Sequence, residues 1–270
     1  MNTKETIKRL LSEKNPIAAY RRKQMRGRLV NTDATFLCPN CIGGILFHDL
    51  GLQFRSPTVN LMMIQTDFVK FVLDMDQCLA RELVFFQHPE YTCPCAHLGD
   101  ITIHFTHYHT REEAAQKWKE RSGRIDRENL FVFLMERDGL TREEIQRLGD
   151  IHARGLVVFT ANDYSDIPYA VQIRKYSRDG EVGNILAKSY WNDGHEYERC
   201  FDFVRWFNEA DGAPFEVSKY VRSGARRKER CISLIKSNWW YGIWTIRFGR
   251  GLSPRGLWRC RSVTGGFWRP

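Results

Sequence analysis

The segment Asn40-Cys41-Ile42-Gly43-Gly44 has the residue types and spacing best suited to chemistry. The apolar residues 34–37 before it predict a buried strand, and residues 45–50 after it predict a helix. Ligands of α/β sheets bind where such a strand ends and a helix begins. Glycines at a helix start let the backbone approach an anion, so Gly43 and Gly44 are predicted to bind a phosphate or an oxyanion.

Cys41 is the candidate nucleophile of this segment, and Asn40 beside it is a candidate ligand-binding residue. A thiol just before the first turn of a helix lies in a field that stabilises the thiolate. We therefore expect a lowered pKa for Cys41, the highest thiol reactivity in the domain, and a role as nucleophile or acyl acceptor. The alternative is that Cys41 is a small buried residue and that the glycines only allow a tight turn.

Three histidines follow one another in the stretch His104-Phe105-Thr106-His107-Tyr108-His109, at the end of a strand predicted for residues 101–105. His104 or His107 is the candidate general base, because imidazole takes up a proton near neutral pH. A metal cluster is not favoured, since a strand puts His104 and His107 on opposite faces unless it ends between them. Buried histidines with satisfied hydrogen bonds, or solvated ones, are the alternative interpretation.

Two aspartates are further candidate ligand-binding residues. Asp100 precedes the strand at 101–105, and Asp138 follows the apolar run at 130–134. Their carboxylates could bind sugar hydroxyls or lie near a cation, although turn chemistry explains both residues equally well.

Metal binding is not predicted. Cys38 and Cys41 have the Cys-x-x-Cys spacing of half a zinc site, but Cys93-Pro94-Cys95 is one residue short of a second chelating pair. We expect no metal ligands and no loss of stability on chelation.

The distribution of charge bears on the partners. The whole chain has a formal net charge of +9, but residues 222–270 contain 12 basic residues and one acidic residue. Residues 29–221 contain 20 basic and 29 acidic residues, a net charge of −9. A groove that tracks phosphates would show the opposite sign, so no nucleic-acid partner is expected for this core.

The apolar stretches and the N-terminus bear on the location. The longest apolar stretches, at residues 61–64 and 130–135, are far shorter than the about 20 residues of a membrane span. The basic N-terminus has no apolar stretch typical of a secretory signal behind it, so the protein is predicted to be cytoplasmic. Reduced thiols are expected for its eight cysteines.

The order of elements predicts an α/β fold, a three-layer sandwich with a mostly parallel central sheet. Buried strands are predicted at residues 34–37, 83–86, 101–105, 130–134 and 155–159. Thr110 and Thr141 are each predicted to begin a helix with a capping box. Three regions follow from composition: residues 1–28 are a basic N-terminal helical segment, and residues 29–211 are the α/β domain. Residues 212–270 are an Arg- and Trp-rich tail, either disordered or not native to the fold, with peripheral membrane contact as an alternative.

Several motifs, in their order and spacing over roughly residues 16–209, resemble an uncharacterised bacterial domain family. They include Asn40-Cys41-x-Gly43-Gly44, Asp67-Phe68-Val69-Lys70-Phe71, Leu98-Gly99-Asp100-Ile101 and Phe201-Asp202-Phe203-Val204-Arg205-Trp206-Phe207-Asn208. Members of that family are usually described as exopolysaccharide biosynthesis proteins or acetyltransferases. The resemblance implies a three-layer α/β fold and a link to capsule, exopolysaccharide or lipopolysaccharide synthesis, and it supplies no catalytic residues. Cys41, His104 and His107 agree with the family pattern, whereas Cys38, Cys93, Cys95 and His109 depart from it.

The leading hypothesis is an enzyme that transfers an acyl group from a coenzyme A thioester to a hydroxyl of a sugar or glycan precursor. Cys41 would be the nucleophile and His104 or His107 the base. The first alternative is a glycosyl- or phospho-sugar transferase that binds a nucleotide sugar at the same helix start, with Asp100 or Asp138 near a metal. The second is a non-catalytic glycan-binding or assembly partner.

Overall fold

The computed structural model describes residues 16–188 and 194–227. The predictions for residues 1–15 and for most of the tail, from residue 228 on, lie outside the described residues.

The described residues form eight α-helices and seven strands. In chain order they are α1 (Pro16–Arg28), β1 (Thr35–Leu37), α2 (Ile42–Leu50), α3 (Gln65–Leu73), α4 (Met75–Ala80), β2 (Val84–Phe86), β3 (Cys95–Leu98), β4 (Ile101–His104), α5 (Arg111–Ser122), β5 (Leu130–Met135), α6 (Arg142–Arg147), β6 (Gly155–Thr160), β7 (Ala170–Gln172), α7 (Glu196–Cys200) and α8 (Phe203–Glu209).

The strands form two sheets. β1, β5, β6 and β7 lie side by side in that order and pair in parallel, with Leu37 opposite Val132 and Phe131 opposite Gly155. β2, β3 and β4 form a separate antiparallel sheet. All six residues of β5 and of β6 are buried, as expected for parallel strands covered on both faces. The predicted α/β sandwich with a mostly parallel sheet is confirmed.

The prediction for residues 83–86 and 101–105 was wrong in one respect, because both strands lie in the antiparallel sheet rather than the central one. Gly99, at φ +66°, makes the tight turn that returns the chain from β3 into β4. Sequence periodicity missed β3, because its four residues, Cys-Ala-His-Leu, form no continuous apolar run.

An aromatic core fixes α2 and α8 against the parallel sheet. The Phe36 ring lies 5.9 Å from Phe47 of α2 and 5.5 Å from Phe207 of α8. A methyl group at Gly155 would come within 2.8 Å of the Trp206 ring, so only glycine lets α8 pack this closely on β6. This packing holds the start of α2 at the carboxyl end of β1.

The second sheet joins the first through α3. The Asp67 carboxylate accepts a hydrogen bond from the backbone N–H of Thr102 in β4 at 2.9 Å. At the start of the same helix, Gln65 Oε1 accepts from the backbone N–H of Met135 at the end of β5, at 3.0 Å. The helix therefore ties the end of β5 to the antiparallel sheet.

The described parts of both terminal regions pack on the domain. Arg21 of α1 forms ion pairs with Asp49 of α2 and with Glu198 of α7. Beyond the boundary predicted at 211, the chain buries four hydrophobic side chains, Phe215, Val217, Tyr220 and Ala225. The packed domain therefore includes residues 16–28 and extends past residue 211 to at least residue 225. No helix within residues 16–188 and 194–227 has the length and apolar character needed to cross a membrane.

Candidate functional site

A cysteine and a histidine from two different loops meet at one edge of the parallel sheet. Cys41 precedes the first residue of α2, and His107 lies in the turn after β4. The Sγ atom of Cys41 is 3.2 Å from Nε2 of His107. Cys41 is half-buried and His107 is exposed, so a substrate can reach the pair from solvent.

Backbone hydrogen bonds hold the two loops together. Met63 donates its N–H to the carbonyl of Pro39 at 3.0 Å, just before Cys41. Met62 exchanges two hydrogen bonds with His104, at 2.8 and 2.9 Å, just before His107. The extended residues 62–63 therefore set the distance between the cysteine loop and the histidine loop.

Asn40 fixes the turn that presents Cys41. Its Oδ1 accepts a hydrogen bond from the backbone N–H of Ile42 at 3.0 Å and one from the Cys38 thiol at 3.2 Å. The Asn40 side-chain oxygen thus accepts from the N–H of Ile42, the first residue of α2, two positions along the chain. Its predicted role in binding a ligand stays a prediction, since both of these contacts are internal.

Gly43 and Gly44 permit close packing of α2. A methyl group at Gly43 would lie 3.3 Å from Cβ of Cys38, and one at Gly44 would lie 2.8 Å from Oδ1 of Asn60. Both residues are buried. Their structural role is the close approach of helix and neighbouring chain, and the predicted binding of a phosphate or oxyanion stays a prediction.

The electrostatics of the pair differ from the sequence prediction. Burial raises the pKa of the Cys41 thiol to about 11, against smaller lowering effects of its own backbone N–H and of the Thr106 hydroxyl. The expected lowering of the Cys41 pKa at the helix start was therefore wrong, because burial disfavours the thiolate more strongly. Burial also lowers the pKa of His107, so thiol and imidazole are both neutral at neutral pH.

His104 belongs to a different cluster. Its Nδ1 lies 3.3 Å from Sγ of Cys95, and its ring packs 4.4 Å from Tyr91 and 5.6 Å from His88. Burial lowers the pKa of His104 to about 4. Of the two predicted bases, the structure brings His107 to Cys41 and places His104 in the antiparallel sheet.

The two predicted aspartates lie apart from the pair. Asp100 is in the β3–β4 turn and forms a 2.9 Å ion pair with Lys70, which lowers the pKa of Asp100. About 13 Å of extended chain separates Asp100 from His104. Asp138 follows β5 in a left-handed conformation, φ 56°, and its side chain pairs with Arg137 at 3.4 Å. Burial raises the pKa of Asp138.

Glu136 is a buried carboxylate that the sequence analysis missed. Its two oxygens accept hydrogen bonds from the backbone N–H groups of Ala161 and Asn162 and from the side chains of Asn162 and Tyr164, at 2.6 to 2.9 Å. It therefore organises the loop after β6 at the carboxyl edge of the parallel sheet. The available signal was an acidic residue directly after the apolar run Leu130–Met135.

Thr106 is a second polar residue that was missed. Its Oγ1 is buried and has no partner in hydrogen-bonding geometry within the described ranges, yet it lies close enough to Cys41 to lower the thiol pKa. Across the same ranges, no group of three or more His, Cys, Asp or Glu side chains is arranged to hold a metal ion.

Fold and site together define an α/β sandwich protein with a cysteine–histidine pair where a parallel strand turns into a helix. The chain belongs to the family described as Domain of unknown function (DUF1919), whose sequence model matches residues 13–208. It is also similar to a Haemophilus influenzae protein described as an uncharacterized protein, with 34% identity over 210 residues. That match covers 78% of this chain and 100% of the relative. The resemblance to a bacterial family without an established function is thereby confirmed, and its link to exopolysaccharides stays a prediction.

Proposed function

We propose that this protein is a cysteine-dependent acyltransferase in which Cys41 is the nucleophile and His107 the general base. One observation carries the proposal, the 3.2 Å contact between Sγ of Cys41 and Nε2 of His107 at a solvent-accessible sheet edge. A nucleophile and a base within hydrogen-bonding distance are the minimal machinery of covalent catalysis. The resemblance described above implies a link to surface-glycan synthesis and to acetyl transfer. That link supports an acyl donor of the coenzyme A thioester class and a sugar hydroxyl of a surface-glycan precursor as acceptor.

The neutral pair dictates the order of proton transfers. His107 Nε2 takes the thiol proton as Cys41 Sγ attacks the thioester carbonyl of the donor. The carbon–sulfur bond to coenzyme A breaks, and the departing thiolate takes the proton from the His107 imidazolium. An acceptor hydroxyl then attacks the acyl-cysteine while His107 accepts its proton, and Sγ leaves and regains a proton from His107.

The raised pKa of Cys41 fits a nucleophile that gives its proton to His107 only as it attacks. With a pKa of about 11, the free thiol carries little thiolate at neutral pH. The lowered pKa of His107 keeps its ring unprotonated and ready to accept the proton. Cys41 therefore reacts with an electrophile by passing its proton to His107, and a bound thioester aligned with Sγ reacts fastest because it is held within the site.

The test is to trap the acyl group on the protein. The full chain would be incubated with acetyl-coenzyme A and the acetylated residue located by peptide mass spectrometry. We expect one acetyl group on Cys41 in the wild type. The matched control is Cys93→Ser, at another half-buried cysteine, and it should carry the same acetyl group on Cys41. In Cys41→Ala, the peptide that contains position 41 should carry none. No acetyl-cysteine in the wild type, or equal labelling of Cys93, would contradict the proposal.

The donor and acceptor classes are tested by thermal shift. Coenzyme A, acetyl-coenzyme A and a set of sugar nucleotides would be added separately to the full chain. Stabilisation by coenzyme A supports the acyl donor, because a ligand that binds only the folded state raises the melting temperature. Stabilisation by a sugar nucleotide alone would instead support the glycosyl- or phospho-sugar transferase alternative.

A further inference from the structure

One face of the antiparallel sheet collects thiols and imidazoles that the Cys41 site does not use. Cys95 of β3 lies directly opposite His104 of β4 in the strand register. Cys93 precedes Cys95 by two residues and lies at a bend just before the first residue of β3. His88 packs against His104 beside them.

The two sulfur atoms of this cluster interact. A hydrogen bond from the Cys95 thiol to the Cys93 sulfur lowers the pKa of Cys93, whereas burial raises that of Cys41. The Cys95 thiol also lies 3.5 Å from the Cys93 carbonyl oxygen and 3.3 Å from Nδ1 of His104. The pKa of Cys93 is therefore lower than that of Cys41, and the expectation that Cys41 is the most reactive thiol stays a prediction.

The backbone permits a bond between the two sulfurs. A disulfide requires Cα atoms no more than about 6.8 Å apart, and two residues of fully extended chain span about 7 Å. The chain bends at Cys93, which shortens that span. The segment is held in place, because the Pro94 carbonyl accepts a 2.9 Å hydrogen bond from the backbone N–H of Phe105.

We propose that Cys93 and Cys95 form a redox site that closes to an intramolecular disulfide by exchange with a small-molecule disulfide. Cys93 is half-buried and Cys95 fully buried, so the oxidant meets Cys93 first. The Cys93 thiolate attacks one sulfur of the oxidant, whose other half leaves as a thiolate. A mixed disulfide on Cys93 results.

The second step closes the ring. Cys95 Sγ attacks the Cys93 sulfur of the mixed disulfide as its proton passes to Nδ1 of His104, and the second half of the oxidant leaves as a thiolate. That thiolate recovers the proton from His104. Overall, two protein thiols are oxidised and one disulfide bond of the reagent is reduced to two thiols. His104 is neutral at neutral pH, so its ring can accept this proton.

The experiment uses the full chain with glutathione disulfide at neutral pH, followed by iodoacetamide and peptide mass spectrometry. We expect the peptide that carries both cysteines to lose two hydrogen atoms and to regain them with dithiothreitol. Glutathione that stays attached to Cys93 in the wild type, or a peptide that keeps both thiols, would overturn the proposal.

Two variants separate the steps. Cys95→Ser should stop at the mixed disulfide with glutathione on Cys93, because the resolving thiol is gone. In Cys93→Ser, only Cys95 is left to react with glutathione disulfide, because the entering thiol is missing. Its reaction should be at least about tenfold slower than that of Cys93 in the wild type. Equal rates would contradict the assignment of Cys93 as the entering thiol. No acyl donor or acceptor is present, so this result is independent of the proposed acyl transfer.

Discussion

The two cysteine–histidine pairs of this protein have nearly equal sulfur–nitrogen distances, 3.2 Å for Cys41 and His107 and 3.3 Å for Cys95 and His104. Their surroundings differ. The first pair joins the start of a helix to an exposed turn, and the second is a cross-strand pair under Tyr91. A short sulfur–nitrogen distance is therefore insufficient to assign catalysis, and access to substrate distinguishes the pairs.

Burial acts on the two histidines to different extents. It lowers the pKa of both, and for His104 it does so to about 4, with further lowering by His88 and His97. The His104 ring is sealed among other rings, whereas one side of His107 faces solvent. We infer that the His107 pair serves chemistry on a substrate, and that the His104 pair contributes to stability and to the proposed redox site.

The largest expected effect is on activity at Cys41. Cys41→Ser should lower acyl transfer by roughly 10³-fold or more, because a hydroxyl is a far weaker nucleophile than a thiol at the same position. Its free energy of unfolding should change by no more than about 1 kcal/mol, since the swap is nearly isosteric. Cys95→Ser should leave the rate within about threefold of the wild type. A comparable loss in both variants would remove the distinction between the pairs.

The reverse contrast is expected for stability. His104→Ala removes a fully packed ring and should lower the free energy of unfolding by about 3 kcal/mol. His107→Ala removes an exposed ring and should lower it by less than about 1 kcal/mol. Urea unfolding of both variants measures the difference, and a larger loss for His107→Ala would contradict the assignment.

The pH dependence of stability should follow His104. Its folded pKa of about 4 lies below the ordinary value of 6.5, so the unfolded chain binds the proton more tightly. Stability is then present above pH 6.5 and is lost as the pH falls towards 4, by up to about 3 kcal/mol. Urea unfolding across this range should show the loss in the wild type and a much weaker one in His104→Ala. Equal slopes in the two proteins would assign the acid sensitivity to other groups.

The smallest effect is expected from the glycines that position Cys41. Gly43→Ala adds a methyl group 3.3 Å from Cβ of Cys38, and this tight contact lowers stability. The higher helix propensity of alanine acts in the opposite direction. The net change in stability should stay within about 1 kcal/mol. The small shift of α2 should still lower the acylation rate by about tenfold, because covalent catalysis depends on alignment. An unchanged acylation rate would show that the position of α2 is not critical.

The sequence predicted the parallel part of the fold well, because its strands are continuous apolar runs. β5 and β6 lie within a residue of the predicted bounds, and Thr141 forms the predicted capping box with Glu144. Residues 83–86 and 101–104 are also strands, but no local pattern states which sheet a strand joins. That choice depends on the Gly99 turn and on pairing with β3, whose residues do not alternate regularly.

The candidate site was predictable in its residue types and only partly in its geometry. Cys41 and His107 were both named from the sequence, but nothing in the sequence separated His107 from His104 as the partner. The separation arises because β4 ends at His104, so the chain turns before it reaches His107. The direction of the Cys41 pKa was also beyond sequence reasoning, because burial depends on residues far along the chain.

The most direct test of the account is the alkylation rate of Cys41 by iodoacetamide at pH 7, measured by peptide mass spectrometry. His107→Gln would be compared with His109→Gln, an exposed histidine in the same loop. If His107 takes the thiol proton, His107→Gln should slow the alkylation of Cys41 by at least about tenfold, and His109→Gln should leave it unchanged. Equal rates in His107→Gln and the wild type would contradict the claim that these two residues work as a catalytic pair.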